Sequence, residues 1–275
     1  MTTTGRSLFL CALVGLVVLA SLGAPQTLHA QIQKDTTHWN DADLYQDEEH
    51  GAPSYFSVGG GLVGSYFIPD LAAFNKNISV PFTGQTVGNK VTMIGGQGFV
   101  TVPWVKNLRV GGIGMSGASD CGCNNNYTDS VSGSHMGRLV DYEIGYGALT
   151  LDYVLPLSMG RFHVIPGVAL GYGSVNVFTR QAVQNESPSF TNYTAGYPNT
   201  THTYTSHFML YQPQLQFEYA PTGYMMARLA VGYQGTSMGT WTVDRNVALA
   251  SSTLFDGING SGIVASAGLF FGLFQ

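Results

Sequence analysis

From residue 54 onward the apolar residues recur at every second position, in runs whose connections are alternately long and short, and this pattern constrains the fold more than any other feature. A period of two is the geometry of a strand, which sends successive side chains to opposite faces. The first run, 55–67, sets Phe56, Val58, Leu62 and Tyr66 against Ser57, Gly59, Gly61 and Ser65. A polar stretch reaches Asn89, a second run covers 90–102, and the tight turn Pro103-Trp104-Val105-Lys106-Asn107 leads into a third over 108–117. After a Ser, Asp, Cys, Asn and Gly loop, run 138–155 alternates Val140, Tyr142, Ile144, Tyr146 and Ala148 with Asp141, Glu143, Gly145 and Gly147. A short turn over 156–161 precedes run 162–178, with Phe162, Val164, Val168, Leu170 and Tyr172 on one face, and then the longest polar stretch, 180–202. Run 203–219 opposes Met209, Tyr211, Leu215, Phe217 and Tyr219 to Gln212, Gln214, Gln216 and Glu218. Past Pro221-Thr222-Gly223, run 224–235 sets Met225, Ala227, Leu229, Val231 and Tyr233 against Arg228 and Gln234; a long connection over 236–260 then leads to the last run, 261–274.

Long and short connections in strict alternation are those of an up-and-down barrel that crosses a membrane, with brief turns on one side and extended loops on the other. Composition agrees. Only 10% of residues are charged, against roughly 25% in ordinary soluble domains. The less apolar faces, rich in Gly, Ala, Ser and Gln, have too little polar bulk to cover a soluble sheet but enough to line a narrow lumen. The expected fold class is therefore all-β, an antiparallel up-and-down transmembrane barrel of about eight strands, or ten if the apolar stretch from Val247 to Phe255 forms a further hairpin. Pro166 and Pro213 lie inside runs, which predicts a bulge or local break at each.

Ahead of the barrel (54–275), residues 1–30 have the order of an export signal: Arg6, an apolar run from Leu8 to Leu22, and Leu28-His29-Ala30 as a cleavage site. Residues 31–53 carry Asp41, Asp43, Asp47, Glu48 and Glu49 without periodicity and read as a flexible acidic periplasmic lead. The net charge of −5, with no basic cluster, excludes a nucleic-acid surface. Cys121 and Cys123 flank Gly122 and fall short of the four ligands of a structural metal site, so exposed or oxidised loop cysteines are expected, with no metal and no cofactor.

Tyr55, Tyr66, Trp104, Tyr153, Tyr172, Tyr219, Tyr224 and Tyr233 fall near run ends, where an aromatic girdle at the two membrane interfaces would stand. Asp141, Glu143, Glu218 and Arg228 are expected in the lumen, where charges need partners, so at least one ion pair should involve Arg228, as a structural plug or as a gate. An enzyme would need His, Ser and a carboxylate together. His207 beside Ser206 and His135 beside Ser134 lack an evident carboxylate, and no activity is expected.

The C-terminal Ser266-Ala267-Gly268-Leu269-Phe270-Phe271-Gly272-Leu273 resembles the sorting signal of bacterial outer-membrane barrels, although family members usually end on an aromatic residue and here Gln275 follows Phe274. The resemblance implies recognition by the barrel-assembly machinery through Ser266, Gly268, Phe271 and Leu273. Over 54–275 the chain looks like the eight-stranded OmpA and OmpX type without a peptidoglycan-binding domain. That resemblance implies a bacterial outer-membrane location among lipids and lipopolysaccharide, and extracellular partners met through the loops. It also admits lipid modification. Two roles follow as expectations: a structural or surface-interaction barrel with a closed or narrow lumen, or a transporter of small or hydrophobic solutes.

Overall fold

The computed structural model describes residues 56–128, 133, 135–155, 161–183, 200–244, 247–249 and 253–274. The expected signal, the acidic lead and Tyr55 lie outside these residues. Eight antiparallel strands close a ring: β1 (Ser57–Pro69), β2 (Val91–Thr101), β3 (Leu108–Ser119), β5 (His135–Tyr153), β6 (Phe162–Val183), β7 (Thr200–Tyr219), β8 (Met225–Val243) and β10 (Gly262–Phe274), with β10 pairing both β8 and β1. Two short strands stand outside it, β4 (Gly122–Thr128) on β5 and β9 (Val247–Ala248) on β8. The Val247–Phe255 stretch therefore adds no barrel hairpin; it supplies the two-residue β9 and the 3₁₀ turn Thr253–Phe255.

The ring is strongly staggered. From Ser57, whose N–H donates to Thr101 Oγ1, register partners run through Arg109, Asp152, Gly167, Gln214, Gly232 and Val264 and return to β1 at Phe67, ten residues further on. Such shear tilts the strands and leaves an interior that side chains can fill.

Local chemistry sets the short turns. Between β2 and β3 the chain reverses as the Val105 N–H donates to the Val102 carbonyl, the Leu108 N–H to the Val105 carbonyl and the Val102 N–H to the Leu108 carbonyl, and Asn107 takes the left-handed conformation (φ 64°) that Asn tolerates. Between β7 and β8, Thr222 Oγ1 accepts the N–H groups of Tyr224 and Met225. Neither internal proline makes a bulge. The β7–β8 pairing is interrupted at Gln212 and Pro213 and resumes in the same register, while Pro166 lies one residue beyond the end of the β5–β6 ladder.

Alternation changes phase part-way up the long strands. In the lower half, near the short turns, apolar side chains face out: Leu149 and Leu151 on β5, Val164 to Tyr172 on β6, Met209 to Tyr219 on β7, Met225 to Tyr233 on β8. Above, with no shift of facing on β5 or β6, the apolar side chains turn inward: Val140, Tyr142 and Ile144; Val175 and Val177; Phe208; Trp241. The outward places there belong to Asp141, Glu143, Ser174, Asn176, Thr205 and His207. The upper half thus has the apolar interior and polar exterior of a sheet in water, the lower half the reverse. This is why the strands run past the ends of the sequence runs, as β6 does to Val183 and β8 to Val243.

The stretch after β1 is not an open polar loop. Helical segments Ala72–Phe74, Asn75–Ser79 and Val80–Thr83 fold over the upper mouth, burying Leu71, Phe74 and Ile78. We call this the cap. Asn75 ties its return, donating to the Val87 carbonyl (3.1 Å) and accepting from the Val87 N–H (2.8 Å).

Glycines divide by face. A Cβ on the inward Gly95 would collide with the Gly114 carbonyl, whereas one on the outward Gly114 would meet nothing within 4 Å. Gly95→Ala is expected to lower unfolding stability by about 1–3 kcal/mol through overpacking, and Gly114→Ala to leave it nearly unchanged. Denaturant titration of the two refolded variants distinguishes them, and equal losses would contradict this packing.

Candidate functional site

The lower lumen is built around one carboxylate. Arg109, one residue into β3, reaches Glu218 on β7 through two hydrogen bonds, Nη1 to Oε2 and Nη2 to Oε1, both 2.9 Å. Arg228 on β8, in register with Glu218, donates Nε to Oε1 at 2.7 Å and forms a second ion pair with it through Nη2. All three side chains are almost wholly buried, Arg109 and Glu218 completely. Phe99 stacks against both guanidinium groups at 4.5 Å, and Phe270 lies 4.3 Å from that of Arg228. Asp152, in register with Arg109, accepts from Gln216 Nε2 at 2.7 Å. Two cations thus meet two carboxyl groups, and aromatic rings replace the water removed from around them.

Of the four residues expected in the lumen, Glu218 and Arg228 meet there. Asp141 and Glu143 do not: both point outward on the upper half of β5. The phase change explains their place, since at that height the inward positions hold the apolar core and the carboxylates take the outward positions. Arg109 and Asp152 complete the cluster, and neither was expected there.

A second closure lies above. Phe74 of the cap meets Tyr142 edge-on (5.6 Å between centroids), Phe255 stacks on Trp241 (4.5 Å) and lies 5.1 Å from Tyr204, and the Tyr142 hydroxyl donates to the Asn259 carbonyl (3.3 Å). Arg138 fixes the cap to the wall, donating Nη1 to the Phe82 carbonyl (3.0 Å) and Nε to Gln181 (2.8 Å). Asn124 on β4 adds a bond to the Thr83 carbonyl (2.7 Å). Beside it, Cys121 and Cys123 are joined by a disulfide around Gly122, where a Cβ would press on Ser79 of the cap.

Trp104, Tyr153, Tyr219 and Tyr224 stand at the short-turn end, and Tyr66, Tyr172 and Tyr233 higher up, on outward positions. At the C-terminus Ser266 and Gly268 face the lumen while Phe271 and Leu273 face out. His207 and Ser206 fall on opposite faces of β7: Ser206 is fully buried and bonds the Gly239 carbonyl (3.0 Å), while His207 stacks on Tyr172 outside. They form no catalytic pair. His135 lies 3.3 Å from Thr128, and Ser134 is outside the described residues. Among the described residues no cluster of His, Cys, Asp and Glu could hold a metal ion.

At the upper rim, His202 Nδ1 lies 2.9 Å from Asp244, which also accepts the Thr203 N–H at 3.0 Å. The hydrogen bond from His202, then that from Thr203, holds the Asp244 carboxyl below its usual range. A depressed carboxyl stabilises the fold above its unfolded pKa of about 3.9 and loses that contribution as pH falls through the folded value. Hydrogen-exchange protection of the Thr203 amide is expected to hold through the ordinary carboxylate range and to drop only at pH values below it in the native chain, and to be insensitive there in Asp244→Asn.

No protein-family model matches the chain, and no curated protein does. Among solved structures, a major outer membrane protein from Thermus thermophilus is similar over 79% of this chain and 99% of its own, with 11% identity and a TM-score of 0.46. Ail, the attachment invasion locus protein of Yersinia pestis, is similar over 81% of this chain and 99% of its own (10% identity, TM-score 0.35), and the outer membrane protease OmpT from Escherichia coli over 80% and 95% (10%, 0.35). At this level of identity and superposition they carry no argument about what the chain does.

Proposed function

We infer that this chain is a non-conducting barrel of the bacterial outer membrane whose lower half sits in lipid and whose upper half, braced by the cap, presents a rigid surface to the exterior. The observation that carries this reading is the double closure of the lumen, by the Arg109–Glu218–Arg228 cluster below and by the cap with Tyr142, Trp241 and Phe255 above. A pore needs a continuous polar path, and here an apolar core stands above a neutralised charge cluster. The outward apolar side chains of the lower half supply the lipid-facing surface, and the polar outward residues above suit the aqueous side. The outer-leaflet lipids and lipopolysaccharide then surround the barrel, and the upper wall and loops are the part that surface partners meet. Passage of small solutes is the competing role, and planar-bilayer recording tests the two. The native barrel is expected to give no steps above background, and Arg228→Ala none either, because the cap remains. Stable conductance steps in the native protein would overturn the closed reading.

A further inference from the structure

Between its two closures the lumen is not packed solid. At mid-height a small space lies among Ser65, Gln97, Gln216 and Arg228, beside Met115 and Ser266. Its free volume accommodates about one water molecule. Four buried polar groups on its wall have no partner within the chain: the Ser65 hydroxyl, Gln97 Nε2, Gln216 Oε1 and Arg228 Nη1. These side chains are only 7%, 7%, 1% and 4% exposed. Two of them have their other polar atoms already engaged, Gln216 Nε2 with Asp152 and Arg228 Nε with Glu218. All four residues line the space.

A buried donor or acceptor left without a partner keeps the full cost of its lost hydration, so four of them around one hole call for an occupant. The occupant must accept from the Gln97 amide and the Arg228 guanidinium and must donate to the Gln216 carbonyl. The Ser65 hydroxyl can serve either way. A halide could not donate to Gln216, and a metal cation would face the Arg228 guanidinium. Water, with two donors and two acceptors, meets every requirement and fits the volume. We propose that the lumen holds a resident water molecule bound by Ser65, Gln97, Gln216 and Arg228, an integral part of the plug that joins the charge cluster to β1 and β2. This rests on the closed-lumen reading, because only a sealed lumen keeps such a molecule from exchanging with bulk solvent.

Water–protein nuclear Overhauser spectroscopy on the protein folded in detergent micelles tests the site. The Gln97 side-chain amide protons are expected to show cross-peaks to water with the sign of a bound molecule and not that of fast-exchanging surface hydration. Ser65→Ala should weaken those cross-peaks, and in Gln97→Met the remaining water contacts of Gln216 should fall, with the folded band on unheated gels unchanged. If Gln97→Met fails to fold, Ser65→Ala alone serves. Absence of a long-lived cross-peak in the native protein, or cross-peaks untouched by either substitution, would overturn the proposal. Bilayer recording on the same preparation separates the two failures: current means that the lumen is open and both readings fall, whereas no current and no bound water means that only the hydration site falls.

Discussion

Glu218→Gln is expected to be the most damaging single substitution in the barrel, lowering unfolding stability by about 3–5 kcal/mol. Its carboxylate is the common partner of Arg109 and Arg228, and both ion pairs are out of contact with solvent. The amide keeps the shape but removes the charge, so two guanidinium groups are left facing each other with Asp152 as the nearby carboxyl group. That residue is itself engaged by Gln216. The cost lies mainly in the uncompensated charge and much less in the lost hydrogen bonds, and this makes a second test possible. Replacing Glu218, Arg109 and Arg228 by Met and Asp152 by Asn together removes the charges as a set and should cost far less than Glu218→Gln alone. Guanidinium titration of the refolded proteins, followed by tryptophan fluorescence, measures both. A loss under about 1 kcal/mol for Glu218→Gln, the range of exposed pairs, would mean that water reaches the cluster and the lower closure is not sealed.

Much of this cluster could be read from the sequence, and the part that could not has a definite cause. Glu218 and Arg228 stand in strands joined by a short turn, each flanked by outward apolar residues, so their inward facing follows from alternation. On β5 the same reasoning takes the wrong face. Val140 to Ala148 look like a lipid-facing row, but all of them point inward, with Val140, Tyr142 and Ile144 in the apolar core of the upper half. The phase error there sends Asp141 and Glu143 into the lumen. Arg109 is hidden differently. It stands beside a turn, and its partner is 109 residues away, a separation that no local pattern encodes. The cap did leave a trace. Leu71, Phe74 and Ile78 recur at i, i+3 and i+7, the period of a helix face, within a stretch otherwise polar enough to read as loop.

The phase change also fixes where the bilayer should end, and charge substitutions on outward positions test it directly. Leu229 lies midway along the apolar outward row of β8, 61% exposed, between Phe217 of β7 and Ala267 of β10. If lipid covers that row, Leu229→Arg places a guanidinium near the bilayer midplane at a cost of about 2–4 kcal/mol, and the folded yield into lipid vesicles should fall accordingly. Asn176 is also outward but lies above the change, in register with Glu143 and accepting from Thr205 Oγ1 at 2.9 Å. Asn176→Arg forfeits that one hydrogen bond and gains a carboxylate neighbour in water, so its net effect should stay within about 1 kcal/mol. In detergent micelles, which adapt to the protein, the gap between the two variants should narrow. Equal behaviour of the pair in vesicles would show that the inversion of polarity along β5 to β8 does not mark a membrane edge. The upper wall would then have to be explained as part of the lipid-embedded surface, with Glu143 and Asp141 paired there by partners from outside the barrel. A large loss for Leu229→Arg beside a small one for Asn176→Arg assigns the two halves of the same strands to two solvents. It would also account for why strands that need only about 9–11 residues to cross run to 22 in β6.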